Sequence, residues 1–405
     1  MLPEAIPVPS VANHGTMKNH NLASFMQTLR RHAPISRANL SRLTGIDKKC
    51  VSMFSAELMK AGFIREAGVG ASSRGRPAQL LDFIPRRNYS LGLAVQARRI
   101  NCALFEFPAK PVRTEVRPLP AGISVDALVD MIRRLAGRMA RQVGKLAGIG
   151  ISFPGLMDLR RGVIHSAANL DCLDKFRFRE PFRKLGLGPV WFEHSSRAAA
   201  LAENWFGLGA TAGSFANLEI NVGISVVMVD RSRLYHGPES FVGELGHVVV
   251  QPRGKKCRCG NRGCLEAYLG ETALKEDMRA AGVDPERLFP GGHPAPLAGN
   301  DLRPPEIGIL RKAGAWLGRG LGTIINLFSP DSVIMHGGLM RYAGVVLPAA
   351  RKELAKSCFA VKVKNTALLS SSLEMPDAVG AAALAFPGWF DAGFDALRSI
   401  DADWI

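Results

Sequence analysis

Three cysteines crowd into eight positions of this chain, Cys257, Cys259 and Cys264, and His247 stands ten residues ahead of the first. One imidazole and three thiolates form a Cys3His set, the donor types and number that suit a tetrahedral zinc ion. Gly260 and Gly263 let the short loop turn back so that Cys264 meets Cys257 and Cys259 on one ion. With four protein ligands the ion would be structural, because a catalytic zinc keeps one position open. Lys255, Lys256, Arg258 and Arg262 offset the thiolate charge. Three incidental cysteines are the plainer alternative. Cys50, Cys102, Cys172 and Cys358 are scattered and read as small apolar residues of a reducing compartment, with no disulfide framework.

A chain of 405 residues has room for two or three domains. Its 47% hydrophobic and 21% charged residues are those of a globular protein. No apolar run reaches the roughly eighteen residues of a membrane span. The opening stretch, MLPEAIPVPSVANHG, lacks the basic and apolar regions of a secretory signal, so a cytoplasmic location is expected. The net charge of +17 is unevenly spread: residues 1–87 hold thirteen Lys and Arg against five Asp and Glu. Charge density there is roughly three times that of the remainder, which favours a polyanionic partner, because neutralising phosphates releases condensed counterions. A merely basic surface is the alternative.

Leu22, Phe25, Met26 and Leu29 recur at helical spacing, and Pro34 ends that helix. Ser36 then stands at an N-cap, with Leu40 and Leu43 as a short apolar face before a turn at Gly45. Asp47 can cap a second helix with the stripe Val51, Phe54 and Leu58, ending near Gly62. Two helices joined by a short turn, the second opening on Lys48-Lys49, make a helix-turn-helix pattern. Two short apolar strands around the basic tip Arg74-Gly75-Arg76 describe a wing. The second helix suits the major groove of double-stranded DNA and the wing arginines the minor groove. The candidate DNA-facing residues are Ser36, Arg37, Lys48, Lys49, Ser52, Arg74 and Arg76. A small helical domain with a solvated basic face is the competing reading.

Strands are expected at residues 89–93, 100–107, 148–153, 190–193, 216–222 and 333–336, and helices at 125–145 and 307–327. This alternation argues for α/β layers. Residues 85–385 resemble the ROK family (repressors, uncharacterised frames and sugar kinases). The match rests on Gly243-Glu244-Leu245-Gly246-His247 with the cysteine cluster and Glu266, on Gly150-Ile151-Ser152-Phe153-Pro154-Gly155, Asn169-Leu170, Ala200-Leu201-Ala202-Glu203 and His336-Gly337-Gly338. With the helix-turn-helix in front, the chain resembles the family's repressor branch, which includes N-acetylglucosamine and xylose repressors.

The resemblance implies an actin-like (ribonuclease H-like), two-lobed sugar-kinase fold behind a winged helix-turn-helix, with sugar in the cleft between lobes. It divides the chain into a DNA-binding domain at 1–85 and an effector domain at 86–405. Lobe one is about 86–195 plus a C-terminal helix at about 376–405, and lobe two is about 196–375 with the zinc loop at 247–266. It also implies sugar contacts at Asn169, His194, Glu244, His247 and Glu266. Carboxylates accept sugar hydroxyls, and a metal-held imidazole keeps one tautomer.

Family kinases hold ATP phosphates with an Asp-x-Gly-Gly-Thr loop, where this chain reads Ala94-Val95-Gln96-Ala97-Arg98-Arg99, without a glycine. Side chains there block the close backbone approach that phosphate cradling needs. The family's catalytic aspartate is replaced by Ser195, which cannot act as the base. The second phosphate loop, Asn221-Val222-Gly223-Ile224-Ser225, keeps one glycine. No enzyme activity is expected. The expected function is DNA-binding transcriptional regulation, as a repressor of sugar-metabolism genes, by a homodimer or homotetramer that answers to a sugar or sugar phosphate. An ATP-dependent sugar kinase is one alternative. A regulator with a protein partner, docked on the apolar tail from Trp389 to Ile405, is another.

Overall fold

The computed structural model describes residues 14–60, 62–70, 77–84, 89–106, 110–143, 146–237, 241–290 and 301–385. The wing-tip arginines Arg74 and Arg76 and the tail beyond 385 lie outside the described residues.

Helix α1 (His14–His32) is followed by strand β1 (Ile35–Ser36), α2 (Arg37–Thr44) and α3 (Lys48–Lys60). Strands β2 (Ile64–Val69) and β3 (Gln79–Phe83) complete an antiparallel sheet of order β1-β3-β2. Ser36 caps α2, its Oγ accepting the Asn39 amide, and Gly45 ends α2 at φ 71°. Asp47 accepts the Lys49 amide at 2.7 Å and so starts α3. Phe25, Leu29, Leu40, Val51, Phe54, Leu58, Leu81 and Phe83 are buried together, with the rings of Phe25 and Phe54 edge to face at 5.9 Å. The expected helix pair and hairpin are both present.

Behind this unit lie two five-stranded sheets of one topology. The first contains β4 (Tyr89–Val95), β5 (Arg99–Glu106), β6 (Lys110–Pro118), β7 (Leu146–Phe153) and, after the small sheet β8 (Leu156–Asp158), β9 (Val163–Ser166) and β10 (Phe176–Arg177), β11 (Val190–His194). The second contains β12 (Ser214–Ile220), β13 (Ile224–Asp230), β14 (Arg233–Leu234), β15 (Ser332–His336) and β16 (Ala367–Ser370). The orders are β6-β5-β4-β7-β11 and β14-β13-β12-β15-β16. In each, the first three strands are antiparallel and the last two run parallel to the third. This is the expected two-lobed α/β architecture.

Helix α4 (Val125–Ala140) covers the first sheet with Leu128, Ile132, Leu135 and Met139. It stops short of residue 145 because tighter turns take over, the Val143 amide bonding the Ala140 carbonyl at 3.2 Å. Helix α5 (Ser195–Phe206) follows β11. The short α6 (Glu266–Leu269), α7 (Glu271–Ala280) and α8 (Pro285–Leu288) precede the long α9 (Pro304–Phe328) in the second lobe. Helices α10 (Ala343–Ser357) and α11 (Ala360–Asn365) separate β15 from β16, and α12 (Pro376–Ala383) follows β16. Among the described residues no helix is long and apolar enough to cross a membrane.

Helix α12 is small-sided for a reason. A Cβ built on Gly380 would stand 1.6 Å from the Ala198 carbonyl oxygen of α5, and one on Gly92 would stand 1.8 Å from the Ala378 oxygen. The helix is thus sandwiched at backbone contact between the first sheet and α5, where no side chain fits.

Candidate functional site

A cavity of about 830 Å³ opens between the two lobes. The first lobe contributes Gly155 after β7, Asn169 and Asp174 behind β9, and His194 and Ser195 where β11 becomes α5. The second contributes Asn221 and Gly223 from the β12–β13 turn, Glu244 and His247 after β14, and Glu266 at the start of α6. All five residues singled out as ligand contacts, Asn169, His194, Glu244, His247 and Glu266, line this one cavity.

The Asn169 amide group hydrogen-bonds Glu266 across the cleft. Its Oδ1 is buried without a hydrogen-bond partner. Glu266 also accepts the Ile224 amide at 3.3 Å. Burial raises the Glu266 carboxyl above its ordinary range, opposed by His247, the Ile224 amide and Asn169. Burial likewise raises Glu244, opposed by His247 and reinforced by Glu266.

His194 behaves differently. Its Nδ1 accepts the Ser196 amide at 3.3 Å and lies 2.7 Å from the Ser196 hydroxyl, while the ring also donates to the Gly155 carbonyl. Burial, then the charge of Arg197, pushes it down to about 3, so the ring is neutral. It caps α5 and forms cavity wall, with both ring nitrogens engaged by protein groups. His194 thus lines the cavity among the candidate ligand contacts. Beneath it the buried pair Arg197 and Glu193 is joined at 2.7 Å.

Beside the cavity, one ligand atom each from His247, Cys257, Cys259 and Cys264 lies within 4.8 Å of all the others. His247 Nδ1 is 3.7 Å from Cys257 Sγ, and Cys259 Sγ is 3.8 Å from Cys264 Sγ. Sulfurs bound to one tetrahedral ion at about 2.3 Å would stand about 3.8 Å apart, so the donor set fits a metal ion. Gly260 at φ 95° and Gly263 at φ 82° make the reversal that the loop requires. His247 Nε2 faces the other way and lies 3.8 Å from Glu244 Oε2.

At the front end, Lys48, Lys49 and Ser52 are exposed on α3. Arg37 is half-exposed and paired with Glu66 at 3.0 Å. Ser36 is buried and its hydroxyl accepts the Asn39 amide, so it is a capping residue rather than an exposed one. Several cavity residues escaped the sequence reading. Asp174 and Asn261 are examples, since each lies in a loop without periodicity and reaches the cavity only through the fold.

The family model described as ROK family matches residues 90–387. The xylose repressor of Bacillus subtilis (strain 168) is 31% identical over 369 residues, covering 90% of this chain and 94% of its own. The chain belongs to the ROK family. Within the ROK family it is also similar to the DNA-binding transcriptional dual regulator NagC of Escherichia coli (strain K12), 24% identical with 92% and 94% of the two chains covered. Among solved structures, a ROK family transcriptional regulator, homolog of the E. coli MLC protein, matches with TM-score 0.76 at 23% identity, covering 93% of this chain and 98% of its own. A ROK family glucokinase from Streptomyces griseus matches with TM-score 0.64 at 22% identity, covering 73% and 99%.

In this ROK chain the β4–β5 turn is filled by side chains. Gln96 Nε2 donates to Asp377 Oδ2 at 2.6 Å and to Glu219 Oε1 at 3.3 Å. Asn101 and Asn221 donate to the same two carboxyls at 2.9 and 2.8 Å. Burial raises both Asp377 and Glu219, and Glu219 raises Asp377 further.

Proposed function

We propose that this ROK protein is a DNA-binding transcriptional regulator, a repressor of sugar-metabolism genes, released from its operator by a sugar or sugar phosphate bound in the cleft. The observation that carries this reading is one cavity between the lobes lined by Asn169, Glu244, His247 and Glu266, with Ser195 where a general base would stand. Such a site binds hydroxyls without activating one. The relatives named as xylose repressor and NagC support the regulatory part.

Asn169 would pair with one ligand hydroxyl, Glu244 and Glu266 would accept hydrogen bonds from hydroxyls, and His247 Nε2 would reach the ligand. His247, Cys257, Cys259 and Cys264 would hold zinc, which supplies a rigid loop and a fixed imidazole tautomer when bound. Lys48, Lys49 and Ser52 would meet the major groove, Arg37 the backbone, and Arg74 and Arg76 the minor groove. We assign residues 1–85 to the DNA-binding unit and 86–405 to the effector unit, within a cytoplasmic homodimer whose two front ends meet two half-sites.

Phosphoryl transfer is not part of this assignment. Ser195 offers no base, and Gln96, Asp377 and Glu219 fill the place of a phosphate loop. Fluorescence anisotropy on a labelled duplex from the gene's own upstream region, titrated with D-xylose and N-acetylglucosamine 6-phosphate, tests the reading. Binding that one of them weakens supports it. No binding to the duplex rejects it.

A further inference from the structure

Helix α5 touches both ends of the molecule's proposed task. Its first residue, Ser195, and its capping residue, His194, line the cavity. Its last residue, Phe206, lies under the guanidinium of Arg30 on α1, 5.2 Å from ring centroid to Cζ. Arg31 donates to the carbonyl of Ala210, in the turn directly after α5. That turn is itself tied back to the helix, because the Glu203 carboxylate accepts the Leu208 amide at 3.0 Å. Twelve residues make α5 a strut about 18 Å long between these two ends.

The strut is stiff. Every residue from Ser195 to Trp205 is buried, and Gly380 of α12 is pressed against the Ala198 carbonyl. Leu201, Ala202 and Trp205 belong to the same contiguous apolar cluster as Phe25, Met26 and Leu29 of α1. A close-packed helix moves as a body rather than bending, so a displacement at His194 is felt at Phe206. Helix α1 in turn packs on α2 and α3.

We propose that α5 carries the coupling between cleft and DNA-binding unit, and that Arg30, Arg31 and Phe206 are the positioning residues that transmit it. The inference rests on the function proposed above and adds the route of its regulation. Burial and the neighbouring Arg31 lower the Arg30 guanidinium to about 10, the mark of a cation drawn partly out of water and held by the ring. Linkage is reciprocal, so DNA bound at the front must alter the ligand end of α5 just as ligand alters DNA affinity.

The test needs no effector. Hydrogen exchange of the amides of residues 195–203 is measured in the full-length protein with and without a duplex from the gene's upstream region. In the wild type the duplex is expected to change exchange by about fivefold or more. Phe206→Leu keeps every charge, and Arg31→Gln keeps the core. Each is expected to reduce the change below about twofold while duplex affinity stays within about threefold. Exchange that ignores the duplex in the wild type, or a full response in both variants, overturns the proposal while leaving the regulatory reading intact. Failure to bind any duplex rejects that reading and this inference with it.

Discussion

His247 faces two ways: its Nδ1 stands 3.7 Å from Cys257 Sγ, and its Nε2 stands 3.8 Å from Glu244 Oε2. A metal on Nδ1 would leave the proton on Nε2, so the imidazole would present a donor to the cleft and to Glu244. The candidate metal cluster and the cleft are therefore joined by a single ring.

Metal removal should act on both. One zinc per chain is expected by elemental analysis, and chelation is expected to lower Tm by roughly 10 °C. Cys264→Ser should show the lower Tm from the start and should not respond further to chelator. Because thiols must lose protons to bind the ion, chelation should be easier at about pH 6 than at pH 8.

Asn169→Ala removes the bond to Glu266 and the amide from the cavity wall together. Isothermal titration is expected to show effector affinity reduced by about 10- to 100-fold. Duplex affinity without effector should stay within about twofold, since Asn169 lies in the cleft rather than on α3.

Asp377 and Glu219 give stability an unusual pH dependence. Their folded-state pKa values lie above those of the unfolded chain, mainly through burial. The stability they contribute is whole below the unfolded carboxyl range of about 4 and is lost as pH rises through the folded values. Nearby His336 is pushed down to about 4 by burial, so it acts oppositely, losing stability as pH falls below about 6.5. Asp377→Asn is expected to raise Tm at pH 8 by roughly 2–4 °C and to flatten its decline with rising pH. A lower Tm at that pH would contradict the assignment.

Much of this was legible in the sequence because its signals are local. Ser36, Gly45 and Asp47 mark helix ends by capping chemistry, and all three do so in the structure. The Cys3His spacing likewise brought its four residues together. Strands β6 and β13 were missed for different reasons. Lys110–Pro118 is an edge strand of alternating charge with a proline at each end region, and Ile224–Asp230 continues a segment read as a phosphate loop. The carboxyl pair was illegible because Glu219 and Asp377 stand 158 positions apart and are brought together, bridged by Gln96, only by the fold. The engagement of His194 by Ser196 and Gly155 was hidden in the same way.

Gly380→Ala tests the packing of α12. The added methyl meets the Ala198 carbonyl, which is backbone and cannot step aside, so a loss of about 3 kcal/mol or more is expected by denaturant unfolding. A change below about 1 kcal/mol would show that the two helices are free to separate.

Ser195→Asp restores a carboxylate at the catalytic place yet leaves the phosphate loop filled by Gln96. A coupled assay with ATP and common hexoses is expected to show no turnover for this variant or the wild type. Turnover in the variant alone would mean that the β4–β5 turn still admits a nucleotide.

The most direct measurement is duplex affinity as a function of salt, with and without sugar, on the full-length protein. A linear fall of log affinity with log salt, with a slope of about −4 or steeper, is expected for a basic front end on phosphates. A further loss of about tenfold on adding the effecting sugar is expected from the coupling. Affinity indifferent to both salt and sugar, with phosphate moving from ATP to sugar, would contradict the account.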